Sequence, residues 1–401
     1  MTVLTPAAAP ASCRDVPWAS ARALAHAAPN PLPARQVPLA RAAGLTLADA
    51  LRTPRPMPAF DTAAMDGYAV GPGTGPWRVR GEVRAGALWK DGQLGAGEAV
   101  AISTGAPVPA GARALIPLEH TERTGAFVHG PAPAQGRHIR RAAEDAPAGA
   151  PLAPPGTRIG PALLGLAAAC GHDTLPVRPR PRVRLLVTGD ELTRAGHPAP
   201  GQVRDALGPL LPPLVETLGG ETVAVHHVPD RPRGSLAGAV HTLSYGDADV
   251  TVVTGSTSVG PTDQLRLLLA DTGARWVVDA VACRPGHPQL LAQLPDGHWI
   301  LGLPGNPYAA LTAAHTLLAP LLSGLTGRPL PLLPHILLTG DIRAAPGRTR
   351  LIPVTWDGAT ARPVGGHRPA FLHGAALADA LAAVAPDWRP GRPVPLILLT
   401  G

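Results

Sequence analysis

Between Arg182 and Leu322 the chain alternates two kinds of apolar run, and that alternation constrains its fold more than any other feature. RVRLLVT, TVAVHHV, ADVTVVT, RWVVDAVAC and HWILGL are short and rich in β-branched residues, as strands are. The segment Gly208–Leu218, then LAGAVHTLSYG, DQLRLLLADTG and finally YAALTAAHTLLAPLL carry helical spacing instead. Strands separated by helices of that length need crossover connections, which gives a parallel sheet covered on both faces, a three-layer α/β domain. Pro212 and Pro213 fall inside the first helix. An interior proline costs about 3 kcal/mol, so this helix is expected to start late or kink.

The flanks read differently. Residues from about 16 to 55 show two helical patterns broken by the proline-rich stretch Pro31–Pro38. PMPAFDTAAMDGYAV follows, and from there to about Arg140 come short β-type runs between Gly and Pro: WRVRGEV, GEAVAIST, RALIPLE and AFVHG. A helical pattern returns at PALLGLAAAC and stops at Gly171. Past Gly327, PHILLTGDI, RTRLIPVTW and RPVPLILLT make a small terminal β-unit.

Aromatics are only 3% of the chain, so its cores must be built from Ala, Val and Leu. The formal charge of +7 is dispersed and almost wholly arginine, without interleaved aromatics. That argues against a nucleic-acid partner and for a site that takes an anionic small molecule. Cys13, Cys170 and Cys283 are isolated and form no CxxC pair, which suits a reducing cytoplasm. The N-terminus has no basic segment followed by an apolar run, so no signal peptide is expected. The longest apolar stretch, around Ala309–Leu322, carries His315 and falls short of the ~20 residues of a spanning helix. A cytoplasmic protein without a membrane partner is expected.

In open parallel sheets, ligands bind beyond the carboxyl ends of the strands. Asp190 and Glu191 follow the first strand, Asp230 the second, and TGSTSVGPTD with Asp263 the third. Arg284 and His287, in RPGHP, follow the fourth, and LPGNP follows the fifth. Gly255, Ser256, Thr257, Ser258 and Gly260 offer amides and hydroxyls to a phosphate. Gly305 and Asn306 precede Pro307 at a helix start, leaving an N-terminus open to an anion. The carboxylates Glu191, Asp230 and Asp263 suit Mg²⁺, which takes hard oxygen ligands beside substrate phosphates. His226, His227 and His315 read as core or surface residues, and Cys283 as a buried structural thiol.

Several segments together resemble one family. PAFDTAAMDGYAV, AISTGAPVPAGARALIPLEHT, RRAAEDAPAGAPLAPPGTRIGPALLGLAAACG, VTGDEL, GQVRD, TGSTSVGPTD, CRPGHP and LPGNP occur in the order found in MoeA-type molybdopterin molybdenumtransferases, the group that includes the gephyrin E domain. PGRTRLIPV and PVGGHRPAFLHGAALADAL resemble its C-terminal domain. The resemblance implies an elongated linker domain from residues 10–58 with 140–180, an inserted β-domain at 59–139, an α/β molybdopterin-binding domain at 181–327, and a C-terminal β-barrel at 328–401. It implies a homodimer whose site joins the MDGY loop of one protomer to the α/β domain of the other. The implied reaction is Mg²⁺-dependent hydrolysis of adenylylated molybdopterin with insertion of molybdate at the dithiolene. Other molybdenum enzymes or cofactor-biosynthesis proteins are possible partners.

Position by position, Asp66, Thr104, Asp145 and Glu191 match catalytic positions, and Glu191, Asp230 and Asp263 match metal positions. Ala143 stands where the family has the glycine of GED. Arg284, His287 and Pro288 occupy the KPGKP segment, with arginine and histidine in place of its lysines. Ala280, Ala309, Pro353 and Ala370 replace further lysine, serine and arginine donors, and Arg204 and Leu207 replace a Tyr and an Asn. Molybdate is therefore expected to bind through Arg284 with one or more of Arg348, Arg350 and Arg368, His367 being a further candidate. Two alternatives accompany this reading: a non-catalytic molybdopterin-binding protein that has lost metal insertion, and a phosphatase-like enzyme that cleaves the substrate without molybdate.

Overall fold

In the computed structural model, which describes residues 13–232, 234–243, 248–257, 264–365 and 368–399, the alternating segment forms the expected sheet with one reversal. From one edge its strands are Glu221–Val228, Arg182–Thr188, Val250–Thr254, Trp299–Leu303, Leu290–Gln293 and Arg275–Arg284. The first four run parallel, with Leu185 beside Val225 and Val252. Leu290–Gln293 is antiparallel to both neighbours, which corrects the all-parallel expectation. Its four residues, LLAQ, are too few to show a strand period. A single antiparallel insertion leaves Arg275–Arg284 pointing the same way as Trp299–Leu303, so Arg284 still reaches the carboxyl edge.

Alternate side chains of the central strands feed two cores. Leu185, Val252 and Leu301 pack with helices α1 (Trp18–Ala27) and α3 (Leu207–Thr217), α2 (Pro161–Ala169) belonging to a separate core, and with the long helical segment from Pro307 to Leu325. Leu186, Val253 and Ile300 pack with α4 (Ser235–Leu243) and α5 (Gln264–Asp271). Residues on both faces make three layers. The segment Pro307–Leu325 is 19 residues long and apolar enough to cross a membrane, but it is the core helix of this domain, 89% buried. It carries a π-type turn at Ala314–Leu318, whose His315 carbonyl accepts from Arg22 Nη1 at 2.8 Å. His315 is a core residue, as expected, although its Nε2 has no partner.

Three expectations are corrected. Helix α3 neither waits for its prolines nor starts after them; Pro212 and Pro213 lie inside it. Its Leu207, Leu211 and Val215 are buried in the main core, and that burial, roughly 1.5–3 kcal/mol per side chain, offsets the lost backbone bonds. The second helical pattern before residue 55 is instead made of short strands, Arg35–Pro38, Thr46–Leu47 and Leu51–Arg52, with one 3₁₀ turn. Gly44, at φ +76°, breaks the periodicity, and strand Thr174–Arg178 supplies the ladder. Residues 14–27 do not belong with the elongated unit: Arg14–Pro17 pairs in parallel with Arg275–Arg284, and Val16, Trp18, Ala21 and Ala25 enter the main core.

The remaining residues form four further cores, two of them on the inserted sheet. Val37, Leu47 and Leu51 pack with Ile159, Leu175 and Val177, so two distant stretches share one cluster. Between them is inserted a six-stranded sheet containing Gly67–Val70, Trp77–Val83 and Glu98–Ile102. At the C-terminal end, Thr349–Trp356, Thr360–Pro363, His335–Leu338, Val394–Leu398 and Ala380–Val384 pair in sequence, and the last pairs back with the first, closing a barrel. The barrel joins the α/β sheet where Cys283 and Arg284 pair with Thr349 and Arg350. That junction sits at the carboxyl edge.

Candidate functional site

The carboxylates of the edge do not all face open solvent. Asp190 ties two loops together: its Oδ1 accepts from the Asp230 amide at 3.0 Å and its Oδ2 from Arg231 Nε at 3.1 Å. Gln264 donates to the Asp230 carbonyl at 2.7 Å, fixing the same loop from α5. Glu191 and Asp230 are thereby held on neighbouring loops, Glu191 exposed and Asp230 half-buried. Asp205, in GQVRD, starts α3 by accepting from the Leu207 and Gly208 amides at 2.9 Å each, and it meets His227 Nε2 at 2.9 Å. Burial alone would raise its carboxyl; the Gly208 amide, His227 and the Leu207 amide together hold it below the usual range. Asp263, Ser258 and Gly260 lie outside the described residues, and among the described residues no group of three His, Cys, Asp or Glu side chains could hold a metal.

The glycine loops lie side by side: a side-chain carbon at Gly305 would come 3.7 Å from Gly255 Cα. The Gly255 amide is already used, donating to Leu303 O at 3.0 Å. Ser256 sits at φ +49° with its hydroxyl 3.4 Å from Thr188 Oγ1, while Thr257 is turned into the fold. Gly305 and Asn306 are exposed. The sequence suggested an open helix start after them, but the start is closed. Pro307 has no N–H, and the Tyr308 and Ala309 amides both donate to Pro369 O, at 3.0 and 3.2 Å. The barrel domain supplies that acceptor, so no local sequence pattern could have shown it.

Asp66 and Thr104 are brought together. Asp66 Oδ1 accepts from the Thr104 amide at 2.6 Å and from its hydroxyl at 2.8 Å. These two bonds, the amide first, hold the Asp66 carboxyl below the usual carboxylate range. Strand Thr62–Ala63 leads into this loop and pairs with Ile139–Arg140, and Arg140 Nη2 lies 3.3 Å from Asp145 Oδ2. Asp66, Thr104 and Asp145 therefore flank one small ladder, apart from the Glu191 and Asp230 loops of the α/β edge. Ala143 explains why glycine suits its position: its φ is +63°, in the left-handed region.

At the barrel junction the arginines converge. Arg284, Arg350 and Arg368, from the α/β edge and two barrel segments, line a cavity of about 410 Å³ whose described walls carry no carboxylate. Arg348 is exposed near Cys283, and His367 lies outside the described residues. His287, expected among the phosphate-binding residues, is engaged by a carboxylate: its Nε2 lies 2.5 Å from Asp15 Oδ1, across 272 positions of sequence. Pro288, beside it, is half-buried. Ala309 and Pro353 are buried, Ala280 takes φ +70°, and Ala370 is exposed. Cys283 is the structural thiol expected, its pKa pushed up to about 12 by burial.

An α/β sheet bearing an acidic edge, a discontinuous companion unit and a barrel joined at the sheet's end is the architecture observed, and comparison with known proteins supplies the class. Residues 16–171 match the family model of the MoeA N-terminal region (domain I and II), and residues 184–324 that of a probable molybdopterin binding domain. The molybdopterin molybdenumtransferase of Synechococcus elongatus is 36% identical over 313 residues, covering 75% of this chain and 77% of its own. Molybdopterin molybdenumtransferase 2 of Mycobacterium tuberculosis is 32% identical over 372 residues, covering 86% and 88%. A solved molybdopterin biosynthesis MoeA protein from Pyrococcus horikoshii superposes with a TM-score of 0.78 at 27% identity, covering 96% of this chain and 99% of its own. The chain belongs to the molybdopterin molybdenumtransferase family.

Proposed function

We propose that this chain inserts molybdate into the dithiolene of molybdopterin, hydrolysing the adenylylated form of that substrate as it does so. The observation that carries the reading is the cavity where Arg284, Arg350 and Arg368 converge with no carboxylate among its described lining residues. Guanidinium groups grip an oxyanion with paired donors, so arginines can stand in for the lysine, serine and arginine donors this sequence lacks.

The opposite half of the site supplies hard oxygens. Glu191 and Asp230, on adjacent loops, fit Mg²⁺, which needs only one or two carboxylates beside substrate phosphates; Asp263 would complete the set. When bound, Mg²⁺ would neutralise charge on the phosphates. Asp66 reaches the substrate as an ionised carboxylate, oriented by both Thr104 donors. Its distance in sequence and domain from the Glu191 loop supports a homodimer in which one protomer's Asp66 loop serves the partner's α/β edge.

The test is AMP release from adenylylated molybdopterin, with and without molybdate. Purified wild type should release AMP in a molybdate-stimulated reaction. Asp66→Ala and Asp230→Ala should each be impaired, and mixing them should restore part of the activity through hybrid dimers. Molybdate-independent release, or no recovery on mixing, would overturn the reading.

A further inference from the structure

The arginine cavity is larger than an oxyanion requires. Its volume of about 410 Å³ lies within the range of pockets that hold small organic ligands. A water molecule accounts for roughly 30 Å³ of liquid, so a four-oxygen anion would leave most of this space unfilled. Beyond the three guanidinium groups the walls are largely apolar, with Pro285, Pro346, Leu351 and Pro369 among them.

An aromatic pair follows the turn whose Arg368 and Pro369 line this space. The turn that carries Arg368 and Pro369 is closed by the Phe371 amide, which donates to Arg368 O at 3.0 Å. Phe371 is 58% exposed in a chain with only three phenylalanines. One face of its ring stacks on His373, with centroids 5.5 Å apart and planes 15° from parallel. That contact fixes the ring's orientation, and Phe371 makes no second ring contact among the described residues. An exposed aromatic ring on the same turn as one of the clustered cations matches a ligand that joins a planar heterocycle to an anion.

We propose that the cavity takes the oxyanion together with the bicyclic nitrogen heterocycle of the substrate, and that Phe371, backed by His373, is the platform on which that ring stacks. The inference rests on the function proposed above, and the ring is either the adenine or the pterin of the substrate. Stacking of a heterocyclic base on an aromatic side chain typically changes affinity by roughly tenfold or more.

The experiment is calorimetric titration of the full chain with AMP, a pterin monophosphate, ribose 5-phosphate and molybdate, in wild type, Phe371→Ala and Phe371→Trp. Wild type should bind AMP or the pterin phosphate about tenfold more tightly than ribose 5-phosphate, and the preferred ring identifies the source. Phe371→Ala should abolish that preference while leaving ribose 5-phosphate and molybdate unchanged, and Phe371→Trp should restore it. Equal affinity of the wild type for all three phosphates, no phosphate binding, or an unaltered preference in Phe371→Ala would overturn the platform. Loss of molybdate binding in the wild type with the ring preference intact would instead break the oxyanion reading and leave the platform standing.

Discussion

The Asp66 loop and the arginine cavity are built in opposite ways. Asp66 and Thr104 are pinned by two short hydrogen bonds between loops of one inserted sheet, and each belongs to a recognisable run, MDGY or TGAPVP. The cavity has no such run. Arg284 comes from the end of a sheet strand, Arg350 from a barrel strand and Arg368 from a barrel turn, and they meet only because Arg284 pairs with Arg350 at the junction of the two domains. The first region keeps its residue types and its geometry together; the second keeps its charge while changing the residues that carry it.

The largest effect should come from the pinned side. Asp66→Asn removes the ionised carboxylate and should lower AMP release by roughly 100-fold or more, the usual range for a group engaged in proton transfer or substrate activation. An effect below tenfold would show that the geometry is retained without the role. Thr104→Val removes the hydroxyl bond and keeps the amide. Because both bonds hold the Asp66 carboxyl below its usual range, losing one raises it, so the acid limb of the activity profile should move to higher pH with a loss of less than tenfold at neutral pH. An unmoved acid limb would mean that Asp66 does not set it.

The bracing behind the acidic edge is a matter of stability. Asp205→Ala should cost about 1–2 kcal/mol by removing the start of α3 and the tie to His227. The carboxyl of Asp205 is depressed in the folded state, so its contribution is present above the unfolded value and lost as pH falls through the folded one. The gap between wild type and variant, measured by denaturant unfolding, should persist at pH 5–7 and narrow below about pH 4. The smallest effect concerns Ala143. Replacing it with glycine relieves a left-handed alanine and should raise stability by up to about 1 kcal/mol, or roughly 2–4 °C in Tm. A lower Tm would mean that the strand-side turn tolerates alanine without strain.

The same contrast separates what sequence revealed from what it hid. Strands and helices from Arg182 onward follow from period and composition, because buried parallel strands are apolar throughout. The acidic loops follow from the rule that ligands gather beyond strand ends. Leu290–Gln293 was hidden by its length, and the helix through Pro212 and Pro213 by burial that outweighs a local penalty. The capping of Tyr308 and Ala309 by Pro369 and the pairing of His287 with Asp15 depend on contacts 60 or more positions apart. No local pattern encodes such contacts. Phe371 carried no signal at all until its exposure and its stack on His373 were visible.

Molybdate titration by calorimetry tests most directly whether rearranged arginines replace the missing donors. Wild type should bind molybdate, and Arg284→Ala should bind it roughly 10- to 100-fold more weakly, since each lost charged hydrogen bond forfeits roughly 1.5–3 kcal/mol. Wild type and Arg284→Ala binding molybdate equally well would contradict the central claim that this cavity is the oxyanion site.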